Sequence, residues 1–168
     1  MRKLVLIGFI AALAGCANLQ EVNDSLKKAN AALSGAKTAE AGKLGDGTGY
    51  QPALTIPVPG GVCHAQAFTD GFKDAFIQNW NQAVSTKIAQ FNAQSSASPK
   101  DVNAKSNLAM YKARMIGTKG YVGHQMDYKL DISSFNANNC PYQSYQKGQA
   151  AGMDAVASNW KALVAQEL

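Results

Sequence analysis

The chain has 168 residues, 46% of them hydrophobic and 16% charged, with 16 Lys and Arg against 11 Asp and Glu. That length suits one domain able to bury a real core. The net charge of +5 is mild and no Lys/Arg cluster stands out, which argues against a nucleic-acid-binding face.

The first element is Met1-Arg2-Lys3 followed by an apolar run from Leu4 to Ala12, ending in Leu13-Ala14-Gly15-Cys16. The run is too short for a spanning helix, which needs about 20 apolar residues. The arrangement resembles a bacterial lipoprotein signal peptide, and the final tetrad resembles a lipobox. The resemblance implies removal of residues 1–15, acylation of Cys16 with palmitate-type chains, and a membrane anchor through that lipid. Several acyl chains make such an anchor stable, at about 0.8 kcal/mol per buried methylene. Ala17 stands where an aspartate would signal inner-membrane retention, so the resemblance also implies the outer membrane. The body would then be periplasmic, with surface exposure as the other orientation. The mature chain would keep 153 residues, with 14 basic and 11 acidic groups.

Leu19, Val22, Leu26, Ala29, Leu33 and Ala36 recur at alternating steps of three and four. This heptad seam predicts a helix that packs on the body; self-association through 19–36 is the sharper alternative. Gly42, Gly45, Gly47 and Gly49 end it. Pro52, Pro57 and Pro59 force an extended or looped path, and alternating Leu54, Ile56 and Val58 suit a short edge strand. From His64 an aromatic stripe follows: Phe68, Phe72, Phe76, Trp80, Val84, Ile88 and Phe91, the pattern of a core-facing helix. Residues 94–98 read as a turn. Ser98-Pro99-Lys100-Asp101 reads as the next helix start, with Ser98 as cap. That helix carries Val102, Leu108, Tyr111 and Met115, and either continues to Val122 and Met126 or ends near Gly117. Tyr128, Leu130 and Ile132 alternate as a second extended piece. A last helix carries Tyr145, Met153, Val156, Trp160, Leu163 and Val164.

Two segments are alike. Cys63, Gln66, Phe68, Gly71, Ala75, Asn79-Trp80 and Val84 match Cys140, Gln143, Tyr145, Gly148, Gly152, Asn159-Trp160 and Val164. The offset is 77 residues up to the second small residue and 80 at the Asn-Trp pair, nearly one helical turn more. Gly71 with Ala75, and Gly148 with Gly152, lie one turn apart and would let another helix approach closely. The stretch Tyr145-x-x-Gly148-x-x-x-Gly152-Met153 resembles a Tyr-x-x-Gly-x-x-x-Gly-apolar repeat in small bacterial lipoproteins of unknown function. That resemblance implies architecture and no activity.

The expected fold is therefore mainly α: a bundle of about four helices in two pseudo-repeated halves, with extended segments before Cys63 and Cys140. Its divisions are the signal 1–15, a lipid-anchored helix with Gly-rich linker 16–45, and a body 46–168 split into halves of about 46–97 and 98–168. With Cys16 lipidated, Cys63 and Cys140 form an even remainder in an oxidising compartment, which predicts one disulfide.

Candidate chemistry is thin. Two histidines, His64 and His124, and no Cys-x-x-Cys or His-Glu-x-x-His spacing give no metal site, and no cofactor is implied. Asp70 and Asp74 lie one turn apart and read as a solvated helix face. Tyr121 and His124, between spaced glycines, are candidate ligand contacts. The pattern predicts no catalytic residue and no enzyme. It predicts an outer-membrane lipoprotein acting as a structural or interaction module with an envelope protein partner. The rivals are a small-molecule or glycan binder using an aromatic pocket and, behind it, a lipid-anchored hydrolase.

Overall fold

A computed structural model describes residues 37–128 and 139–168. Cys16, the 19–36 segment, Leu130 and Ile132 lie outside the described residues. The chain divides into two compact units, Met1–Lys37 with Pro59–Gly61, and Thr38–Val58 with Val62–Leu168. The first falls almost wholly outside the described residues, and the second holds the helical body.

The elements in order are β1 (Lys37–Glu40), β2 (Thr55–Val58), α1 (Ala65–Ala97), α2 (Val102–Lys112), a single turn α3 (Gln125–Tyr128) and α4 (Cys140–Val164). The protein is mainly helical, and β1 and β2 pair in its one described two-stranded sheet. In β2, Ile56 and Val58 face inward while Thr55 and Pro57 face out, the alternation read from the sequence. No helix among the described residues is long and apolar enough to cross a membrane.

At 33 residues, α1 is about 50 Å long. His64 caps it, its Nδ1 accepting from the Ala67 N–H at 3.1 Å. Phe68, Phe72, Phe76 and Trp80, one turn apart, are all at most 2% exposed. The Phe72, Phe76 and Trp80 rings stack in a ladder, and Tyr50 stacks on Trp80 at 5.5 Å. α1 continues through the predicted turn at 94–98. Ser98 is its C-cap, and the cap of α2 is Asp101, whose side chain accepts from the Ala104 N–H. Nothing in 94–97 breaks a helix; Pro99 does, by disfavouring helical backbone at Ser98. α4 starts at Asn139, which accepts from the Tyr142 N–H, with Pro141 in the first turn.

α1 and α4 form the central pair and run side by side in the same direction. The Cys63–Cys140 disulfide joins their N-terminal ends, with Cα atoms 5.9 Å apart. Further along, Trp80 and Trp160 meet edge to face at 5.8 Å. Between these points the backbones touch. A β-carbon added at Gly71 would strike the Tyr145 carbonyl, and one at Gly148 would strike the Phe68 carbonyl. Shifting Gly71 and Phe68 by 77 residues gives Gly148 and Tyr145, so each contact is the image of the other. A β-carbon at Gly152 would meet the Phe72 carbonyl and come within 3.2 Å of the β-carbon of Ala75, its own pseudo-equivalent. Reciprocal contacts of this kind require a pseudo-twofold axis between the helices, passing the disulfide. Asn79 and Asn159 also repeat one bond, each donating to the carbonyl four residues back at 2.8 Å. The correspondence loosens beyond: Trp80 is buried and stacked by Tyr50, whereas Trp160 is half-buried and meets Tyr111 at a tilt.

α2 packs back along α1, with Tyr111 stacked on Phe91 and its hydroxyl donating to Glu167. It stops at Lys112. Asn81 of α1 then grips the next strand-like residue, donating to the Ile116 carbonyl at 2.8 Å and accepting its N–H at 2.9 Å. The Trp80 indole donates to the Arg114 carbonyl at 2.7 Å. Val122 and Met126 are exposed and belong to no helical stripe. Tyr128 closes α3 and is not extended. The glycine-rich segment, expected as a linker, is part of the body: Leu44 is fully buried, and Tyr50 and Gly117 exchange backbone bonds across it with Met115 and Thr48.

The glycine contacts give a test of sign. In an exposed helix, Gly→Ala stabilises by up to about 1 kcal/mol. At the α1–α4 contact, Gly71→Ala and Gly148→Ala should each destabilise by about 1–3 kcal/mol, since backbone must shift to admit the methyl. Urea unfolding of the two variants checks this.

Candidate functional site

On one flank of the α1–α4 pair, α1 presents Asp70, Asp74, Gln78 and Asn81, spaced by four, four and three residues. Such spacing keeps them on one face of the helix. The segment from Ile116 to Tyr128 lies over this face, held by Asn81 at one end and the aspartates at the other. It turns through Gly120 and Gly123, whose φ angles of +74° and +70° suit residues without a β-carbon.

Asp74 is the hub. Its Oδ1 accepts from the Tyr121 hydroxyl and lies 3.0 Å from His124 Nδ1. Its Oδ2 accepts the His124 backbone N–H at 2.6 Å and the Tyr145 hydroxyl of α4 at 2.8 Å. Asp70 accepts from the Tyr128 hydroxyl at 2.6 Å and from Gln66 at 2.9 Å. Two carboxylates thus tie α1 to α4 and to the 121–128 segment. The expectation of a solvated helix face is corrected: Asp70 is 6% exposed, and the Asp74 side chain 10%. Like charges at this spacing oppose helix formation unless other groups compensate. Here the donors are three tyrosines, a histidine, a glutamine and a backbone amide.

Burial alone would raise the Asp74 carboxyl. The bonds from Tyr121, the His124 amide and ring, and Tyr145 outweigh it and hold the group below its ordinary 3.8. The Tyr121 and Tyr145 phenols are pushed up, first by burial and then by donation to Asp74. All three groups therefore keep the protonation states these bonds need across neutral pH.

Beside this cluster lies an open cleft of about 350 Å³, walled by Asp74, Ile77, Gln78, Tyr121, Tyr145 and Gln149. Tyr121 and His124 are brought together, ring centroids 5.9 Å apart, and Tyr121 lines the cleft. Gly71, Ala75, Gly148 and Gly152 stand at the helix contact, and Cys63 and Cys140 are bonded. The sequence reading had the aspartates as a solvated face, and it missed the hydroxyls of Tyr128 and Tyr145. The signal for the aspartates was the like-charge pair itself, on a helix otherwise committed to the core. Among the described residues no group of three or more His, Cys, Asp or Glu side chains is placed to hold a metal ion. Neither serine nor cysteine of the described residues lines the cleft.

No protein-family model matches the chain, and neither a curated protein nor a solved structure matches it.

Because Asp74 is held below 3.8, its ionised form stabilises the fold. That contribution is complete above the unfolded-state value and is lost as pH falls through the lowered folded value. Asp74→Asn should cost about 1–3 kcal/mol at pH 7, because its amide presents donors to donors. The gap between parent and variant melting temperatures should narrow on acidification below about pH 4. Melting curves across pH 2–7 read both effects.

Proposed function

We propose that the chain is an exported lipoprotein, held at the outer membrane through Cys16, whose helical body serves as a non-catalytic structural or interaction module of the envelope. The observation that carries this reading is the Leu13-Ala14-Gly15-Cys16 tetrad behind a basic and then apolar start. Cysteine arithmetic supports it. Of three cysteines, Cys63 and Cys140 bond to each other, leaving Cys16 as the remaining one. A structural disulfide fits an oxidising compartment outside the cytoplasm.

The non-catalytic part of the reading rests on how polar groups are used. Asp70 and Asp74 are engaged in binding segments together. The aromatic stripe is buried as filling between helices, with Phe72, Phe76 and Trp80 at 2%, 0% and 1% exposed. Binding through that stripe is accordingly not part of the proposal. The partner would be another envelope component, met by the exposed faces of the body or by the 19–36 segment.

Cys16→Ala tests the anchor. The parent should incorporate labelled palmitate and sediment with outer membranes after a high-salt wash. The variant should take up no label and leave the membrane fraction or remain uncleaved. A variant that still fractionates with outer membranes in high salt would sink the assignment.

A further inference from the structure

The pseudo-twofold that relates α1 to α4 also relates two grooves, one on each flank of the pair. The cleft described above has about 350 Å³; the other, bordered by residues 53–57, has about 550 Å³. Positions 77 apart line the two. Asp74, Gln78 and Gln149 in the cleft correspond to Ala151, Ala155 and Phe72 in the second groove, while Ile77 corresponds to Asp154. The same frame has thus been filled differently. Asn81 and Ser158 are polar on both flanks, so three of the five related places are polar on one flank and apolar on the other. The α1–α4 packing does not require this, since both flanks share the same helix contacts.

The polar groups of the cleft have a direction. Tyr121 and Tyr145 spend their hydroxyl protons on Asp74, so their oxygens can only accept from anything in the cleft. The one further bond there, from Gln149 Nε2 to the Tyr145 oxygen, is long at 3.5 Å and readily displaced. Gln78 is exposed, and its amide makes no side-chain hydrogen bond among the described residues. The charge has a sign as well. Asp74 lines the cleft with Asp70 one turn behind it, and no Lys or Arg of the described residues is in the lining. His124 is the one described ion-pair partner of Asp74. The half-buried ring of Tyr121 adds a face that attracts cations. A neutral sugar could pair with the same oxygens and amides but would gain nothing from the field of Asp74. An ammonium group supplies three donors and a positive charge, matching both the acceptors and the field.

We infer that this cleft binds a small organic cation bearing a primary ammonium group, held by the Tyr121 and Tyr145 oxygens and the Gln78 and Gln149 amides within the field of Asp74. The volume, at the small end of ligand pockets, suits a short amine. This inference does not depend on the lipid anchor.

The test uses the full chain purified in mild detergent, with 1,4-diaminobutane as probe and 1,4-butanediol as its neutral counterpart. Titration calorimetry should show saturable binding of the diamine, weakened by salt, and at least tenfold weaker binding of the diol. Amide shifts in NMR spectra should cluster at residues 74–81, 118–125 and 145–149. Gln78→Leu and Gln149→Leu each keep the Asp74 bonds and the helix contact, and together should weaken the diamine at least tenfold without lowering helicity. Absence of saturable diamine binding would overturn the inference, as would equal affinity for the diol. Undiminished affinity in the double variant, or shifts clustered elsewhere, would place the amine outside this cleft and overturn it equally.

Discussion

At Gly71 and Gly148 two helix backbones come so close that neither position has room for a β-carbon. Everything else in the body is arranged around that approach. Side chains on α1 and α4 cannot separate the axes there, so the aromatics are displaced to the flanks, where Phe72, Phe76 and Trp80 stack one turn apart. Stacked rings at such spacing add about 0.5–1.5 kcal/mol per pair beyond their burial. The disulfide fixes the helices' N-terminal ends and so the register in which the glycines meet. On the chain-entropy view, closing a loop of 77 residues is worth about 4.5 kcal/mol.

The same close approach creates the candidate site. Tyr145 sits against Gly71 through its backbone, and this brings its hydroxyl to Asp74 of the facing helix. Asp74 in turn gathers Tyr121 and His124, so a segment without long regular structure is laid along α1. Packing, a buried carboxylate and the cleft wall are consequences of one helix crossing. The carboxylate is tolerated because four donors surround it, a condition that an isolated buried charge would not meet.

Much of this was legible in the chain. Apolar and aromatic residues at helical spacing located α1 and α4, because their stripes are long and nearly uninterrupted. The Gly71/Gly148 and Cys63/Cys140 correspondences pointed to the helix contact and the disulfide, since small residues in an aromatic stripe have few other uses. Boundaries were less legible. Ser98 was read as the cap of α2, whereas it closes α1 and Asp101 is the cap. The polar site was the least legible. Asp70 and Asp74 look like any exposed acids until the partners 47 to 71 residues away are folded over them. Tyr145 was read for its ring, whereas its hydroxyl carries the long-range bond. The glycines around Tyr121 and His124 marked a turning segment, but what it turns toward is set by tertiary packing.

The central claim is a pseudo-twofold crossing of α1 and α4 through paired glycine contacts, and proton–proton NOEs measure it directly. The account predicts two Hα–Hα cross-peaks in the oxidised protein, Gly71 with Tyr145 and Gly148 with Phe68, of similar intensity because the contacts are images of each other. Absence of both peaks, or presence of one alone, would contradict the crossing as described.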